Sequence, residues 1–122
     1  MRTEQSRSDR ATAMARSELA RRALRSKFFG PKLIDDAAWN MMLFMFVEQR
    51  VDLPISRVCA AALAPRTTAL RQLSVLESRG LVEFHENPED RRGRFVKLQT
   101  DGLATLGSYL AAIAEIAVEP LP

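Results

Sequence analysis

The stretch Pro65–Gly80, PRTTALRQLSVLESRG, constrains this chain most, because the hydrophobic period changes directly after it. Proline suits a first helical position, where its missing N–H is no loss. Glycine suits the position just past a helix end. Between them Ala69, Leu70, Leu73 and Leu76 recur at three- and four-residue steps, which predicts one apolar helix face. The opposite face carries Thr67, Thr68, Arg71, Ser74 and Ser78, with no acid among them. Small hydroxyls allow close approach to a polyanion, and arginine reaches a phosphate or the O6/N7 edge of guanine. A solvated surface helix carries similar residues, so the flanks decide between the two.

Upstream, Asp35 or Asp36 is placed to cap a helix from Ala37 to about Arg50. Its middle, WNMMLFMFVE, is apolar nearly all round and predicts a buried element. Its methionines and aromatics read as core filling. Val51–Ile55 is short and extended, and Pro54 confines it to an edge or a first strand position. Ser56 then predicts the N-cap of a brief helix, Arg57–Leu63, with Val58, Cys59, Ala62 and Leu63 facing inward. Ala64–Pro65 turns the chain into the next helix. Two short helices with a tight turn, the second exposing hydroxyls and arginine, form a helix-turn-helix pattern.

Downstream the period is two. Leu81–Glu86 reads as a strand and Arg94–Leu98 as its return, around a polar tip, Asn87–Gly93. Arg91, Arg92 and Arg94 sit on or beside that tip. Thr100 is placed to cap a last helix, with Asp101 in its first turn. There Leu103, Leu106, Leu110, Ile113 and Ala117 repeat at three and four, the seam of a helix that pairs with another helix.

The N-terminal residues 1–9 are polar and predicted to fray. A helix is expected from about Arg10 to Phe29, with a narrow stripe of Leu19, Ala20, Ala23, Leu24 and Phe28 among arginines. Gly30–Pro31 ends it. At 122 residues the chain is about one domain long. Its net charge is only +3, but residues 1–32 hold nine Lys/Arg against three Asp/Glu, and residues 54–99 hold eight against five. That asymmetry points to an acidic partner, most simply nucleic acid or an anionic surface. One cysteine rules out an internal disulfide framework and fits a reducing cytoplasm. The charged N-terminus lacks the apolar run of a secretory signal.

The order of helix, short strand, helix, helix, strand, arginine-tipped hairpin and strand is that of a winged helix. Residues 39–110 resemble the winged-helix domain of the MarR family of bacterial transcriptional regulators. The resemblance rests on Leu76-Glu77-Ser78-Arg79-Gly80-Leu81-Val82 and on the wing from Asn87-Pro88-Glu89-Asp90 through Arg91-Arg92-Gly93-Arg94 to Phe95-Val96-Lys97-Leu98, followed by Thr100-Asp101-Gly102. It implies a homodimer built from N- and C-terminal helices, a recognition helix in the major groove and a wing in the minor groove. It also implies that Asp90 steadies the wing while Arg92 enters the groove. The chain departs from the family in having Leu98-Gln99 where Leu-Thr is usual, and one C-terminal helix where many members have two.

The expected organisation is a basic arm and helix over 1–32, a winged-helix DNA-binding domain over 33–99 and a dimerisation helix over 100–122. The fold class is mainly α with a small β-hairpin wing. Expected DNA contacts are Arg66, Thr67, Thr68, Arg71 and Ser74 on the helix, with Arg91, Arg92 and Arg94 on the wing. Leu19, Leu24, Phe28, Leu103, Leu106, Leu110 and Ile113 are the expected dimer contacts. Cys59 reads as core, and His85 has no second ligand at metal spacing. No cofactor, metal or catalytic constellation is expected, so the chain does not read as an enzyme. The leading expectation is a cytoplasmic bacterial regulator, associated with the nucleoid, that binds double-stranded DNA as a homodimer. A winged helix that docks on protein is the rival, and a regulator switched by a small-molecule effector is a third reading.

Overall fold

A computed structural model describes residues 2–30 and 34–118. Among them lie α1 (Arg2–Phe29), α2 (Asp36–Val47), β1 (Leu53–Pro54), α3 (Ile55–Ala61), α4 (Arg66–Ser78), β2 (Val82–Asn87), β3 (Asp90–Leu98) and α5 (Thr100–Val118). They divide into two units. One spans Ile34–Leu106, and the other joins the two ends of the chain, up to residue 33 and from Gly107 onward. The last turns of α5 thus group with α1, while its start belongs with the winged helix.

The larger unit is built on α2. Asp35 caps it, its Oδ1 accepting from the Ala37 amide at 2.8 Å. Ala37, Ala38, Met41, Met42 and Met45 are buried, whereas Val47 is exposed. The helix ends at Val47 rather than near Arg50, and only one face is fully covered. The core is completed by Leu53, Val58, Cys59, Ala62, Ala69, Leu73, Leu76, Val82, Val96, Leu98 and Leu106. Burying each valine, leucine or methionine among them is worth roughly 1.5–3 kcal/mol before entropy is counted.

Several local boundaries differ from expectation. Helix α1 begins at Arg2, so the polar N-terminus is helical rather than frayed. Helix α3 begins at Ile55, one residue ahead of Ser56, and Pro54 takes its N-cap position with no side-chain cap. Pro65 is likewise the N-cap of α4 rather than its first residue. Between these helices Leu63 is 86 % exposed, not inward-facing, and its φ is +55°. The turn must reverse within a few residues, and the left-handed step points this side chain into solvent. Asn40 on α2 holds the turn, donating from Nδ2 to the Ala62 carbonyl at 3.1 Å.

Helix α4 ends as the sequence predicts. Gly80 has φ +72°, the amide of Gly80 donates to the Glu77 carbonyl at 2.9 Å, and that of Leu81 donates to the Leu76 carbonyl at 3.0 Å. Both bonds of a Schellman cap are therefore present. The chain then enters a three-stranded antiparallel sheet of order β1-β3-β2. Pro54 sits opposite Phe95 on the outer strand β1, where a residue without an N–H is tolerated.

Gln99, not Thr100, holds the N-cap position of α5, its carbonyl accepting from the Leu103 amide at 2.8 Å. Its side chain bonds across the fold instead, donating from Nε2 to the Val82 carbonyl at 2.9 Å. This glutamine side chain thus ties the helix start to β2.

In the end-to-end unit, α1 and the later part of α5 meet at Tyr109. Its hydroxyl donates to the Arg21 carbonyl at 3.3 Å. Its ring lies edge-on to Phe28 at 6.0 Å and to Phe29 at 6.3 Å. One residue of the N-terminal stripe, Phe28, therefore has a partner within its own chain.

Candidate nucleic-acid interface

Helix α4 is anchored by Ala69, Leu73 and Leu76, which are buried. That leaves Arg66, Thr67, Arg71 and Ser74 exposed and Thr68 half-buried. Four of the five expected contacts on this helix thus face outward. Leu70, expected on the apolar face, is 39 % exposed, because the buried line through Ala69, Leu73 and Leu76 is narrower than the four-residue pattern suggests. The first turn contains no acid, and no side chain caps it. Its leading N–H groups and the positive end of the helix dipole are free to meet an anion.

On α3, the other helix of the pair, the arginine side chain turns toward α2. Arg57 on α3 pairs with Glu48 at 3.5 Å and lies over the Phe44 ring at 5.5 Å. Cys59, buried beneath, is a core thiol. Burial pushes its pKa above the ordinary value, and the nearby Arg66 charge pulls the other way without prevailing. Such a thiol is a poor nucleophile at neutral pH.

The wing is tighter than its sequence suggests. Strand β3 begins at Asp90, so Asn87 faces Asp90 and only Pro88 and Glu89 form the tip. Glu86 pairs with Arg94 and the next pair is Asn87 with Asp90. Arg91, Arg92 and Gly93 therefore bulge from β3 with no opposite residue on β2. Two Asx contacts shape the bulge. Asn87 Oδ1 accepts the Glu89 amide at 3.0 Å, and Asp90 Oδ1 accepts the Arg92 amide at 3.0 Å. Arg92 is exposed. The side chain of Arg91 lies outside the described residues. Arg94 is exposed, but its guanidinium rests over the Phe84 ring at 4.6 Å, a cation–π contact that sequence spacing did not single out.

Elsewhere, His85 Nε2 lies 3.2 Å from Glu83 Oε1 and Lys97 Nζ lies 3.6 Å from the same oxygen, a polar cluster on the surface. Among the described residues no group of His, Cys, Asp and Glu is arranged to hold a metal ion, and no helix is long and apolar enough to cross a membrane. Of the expected dimer contacts, Leu19 is 68 % exposed, and Leu24, Phe28, Leu103, Leu110 and Ile113 are half-buried. Leu106 is fully buried in the single chain, which makes it core and not part of an open seam.

By sequence, no family model and no curated protein matches the chain. Solved structures do match by shape. A point mutant of Staphylococcus aureus MepR bound to an oligodeoxyribonucleotide superposes with a TM-score of 0.70 at 14% identity, over 96% of this chain and 79% of that one. NadR in complex with 4-hydroxyphenylacetate gives 0.68 at 19% identity, over 86% and 70%. The transcriptional regulator PA4135 gives 0.64 at 16% identity, over 88% and 77%. The match to a second MepR mutant, from a multidrug-resistant clinical isolate, is shorter. It spans 62% of this chain and 55% of that one at a TM-score of 0.58 and 18% identity. Among the described residues, five helices, a three-stranded sheet and a β2–β3 wing in this order give the chain the winged helix-turn-helix fold seen in MarR-type regulators.

Proposed function

We propose that this chain is a MarR-type transcriptional regulator that binds double-stranded DNA as a homodimer. Helix α4 enters the major groove through Arg66, Thr67, Thr68, Arg71 and Ser74. The wing reaches the minor groove through Arg91, Arg92 and Arg94, with Asp90 as its brace. The carrying observation is the exposure of Arg66, Thr67, Arg71 and Ser74 on one acid-free, uncapped helix start, together with a bulged arginine wing. Phosphates favour the helix N-terminus and base edges favour arginine and hydroxyls. The same reading is supported by the likeness to MepR with bound oligodeoxyribonucleotide. NadR binds 4-hydroxyphenylacetate, and by the same likeness a small-molecule effector is a partner to screen for.

The test is titration of the full chain with arbitrary duplex DNA at rising salt. A DNA-binding protein loses affinity steeply, with a log–log slope near −0.9 per phosphate contact. Arg71→Ala is expected to cost about 1–3 kcal/mol on a selected site. A second reading, a winged helix that docks on protein, is favoured by the exposed apolar residues Leu63, Leu70 and Val75. Absence of salt-sensitive binding to any duplex would decide for it.

A further inference from the structure

Val75 is 42 % exposed on α4 and has no part in the contacts described so far. At about 100° per residue, the direction opposite Ala69, Leu73 and Leu76 falls between Arg71 and Ser78. Val75 lies roughly 50° to one side of it and Leu70 nearly 90° to the other. Val75 is therefore the apolar side chain that shares the outward stripe with Arg71, one turn after it. The serines before and after it in sequence bond back to the helix. Ser74 Oγ donates to the Leu70 carbonyl at 3.3 Å, and Ser78 Oγ donates to the Val75 carbonyl at 2.7 Å. Their protons are committed to the helix, so each presents only lone pairs outward.

The surface formed by Val75 and these serines is thus two methyl groups with acceptors beside them and no hydroxyl donor. In the major groove a G·C pair offers a cytosine N4–H donor that a serine lone pair can meet, but also two guanine acceptors that this surface cannot satisfy and no methyl group for the valine. An A·T pair offers an adenine N6–H donor and the thymine C5-methyl, which suit a serine lone pair and a valine. The first acid on α4, Glu77, comes only near its end, and Arg66 and Arg71 supply the charge that brings a duplex to this face. We propose that Val75 reads the C5-methyl of a thymine in the major groove and commits the site to an A·T pair there. The assignment rests on the DNA-binding reading above.

The test uses the full chain and duplexes it enriches from a random pool. Each thymine is replaced singly by uracil, which removes the methyl and keeps every hydrogen bond. Wild type is expected to bind about three- to tenfold more weakly at one position per half-site, the effect of one methyl returned to water. With Val75→Ala the thymine-to-uracil ratio is expected to fall to near one. Val75→Thr, which keeps the shape but replaces one methyl with a hydroxyl, should also reduce it, and thermal melting reports whether each variant is folded. A G·5-methylcytosine pair at that position should bind wild type more tightly than G·C, which separates the methyl from the rest of the A·T pair. Equal binding of thymine and uracil at every position overturns the assignment, as does an effect that persists in folded Val75→Ala. In either case salt-sensitive, selective binding by wild type leaves the DNA-binding reading standing. Binding to no duplex removes that reading and the assignment together.

Discussion

The Asp90 carboxylate accepts the Arg92 backbone amide at 3.0 Å, and so fixes the three-residue bulge from which Arg92 projects. Asparagine keeps that acceptor and removes the charge, whereas alanine removes both. If the bond positions the wing, Asp90→Ala binds DNA more weakly than Asp90→Asn. Because the group is exposed, thermal stability should change by less than about 1 kcal/mol in both. Equal affinities for the two variants would reduce Asp90 to a charge.

Gly102 packs against the chain just ahead of β2. A side-chain carbon there would collide with the Leu81 carbonyl oxygen and lie 3.1 Å from its carbon. Those are backbone atoms and cannot swing aside. Gly102→Ala is expected to cost about 1–3 kcal/mol, despite alanine's better helix propensity. Chemical denaturation measures it, and a stabilised variant would show that α5 can shift away from Leu81.

Leu63 holds φ +55° with its side chain in solvent. A left-handed conformation costs an ordinary L-residue roughly 1–2 kcal/mol, and glycine escapes it at an entropic cost of about 0.5–1 kcal/mol. Leu63→Gly should therefore be neutral to about 1 kcal/mol more stable. Leu63→Val should be destabilised, because branching at Cβ worsens the clash. A clear loss of stability in Leu63→Gly would mean that the leucine packs on something in solution.

Tyr109 couples the end-to-end unit to pH. Burial raises its phenol above the ordinary value of 10.0, with Arg25 and Arg21 opposing and Glu18 assisting. The folded state holds the proton more tightly than the unfolded state does. The resulting stability is present below about pH 10 and is lost as pH rises through the higher folded value. Tyr109→Phe should lose about 0.5–1.5 kcal/mol at neutral pH, with the bond to the Arg21 carbonyl. It should also show a shallower alkaline decline than wild type in melting experiments. Parallel declines would place the alkaline sensitivity elsewhere.

Leu19 is 68 % exposed on α1 and makes a clean probe of self-association. Leu19→Lys should leave the single chain's melting within about 0.5 kcal/mol. If α1 is part of the dimer surface, sedimentation should shift toward monomer at micromolar concentration. An unshifted dimer would move the interface to Leu110 and Ile113, and a wild-type monomer would remove it.

Sequence alone determined the element order, a cap at Asp35 or Asp36, the methionine-rich buried helix, the Gly80 stop and the arginine wing. Each depends on residues within a few positions of one another: a carboxylate reaching a nearby amide, a period of 3.6 or 2, a glycine free to take positive φ. Tertiary structure decided the rest. Leu63 and Leu70 look like core in a linear pattern, yet both face solvent, because helix direction and the tight turn choose which apolar residues are covered. Leu106 reads as seam and is core. Gln99 reads as a departure from the usual Leu-Thr and is a tether to Val82. Phe28 reads as a dimer contact and meets Tyr109 from the opposite end of the chain. The arginine bulge depends on a strand register that places Asn87 opposite Asp90. Register and long-range contact arise from how elements meet, and no local window of residues contains that information.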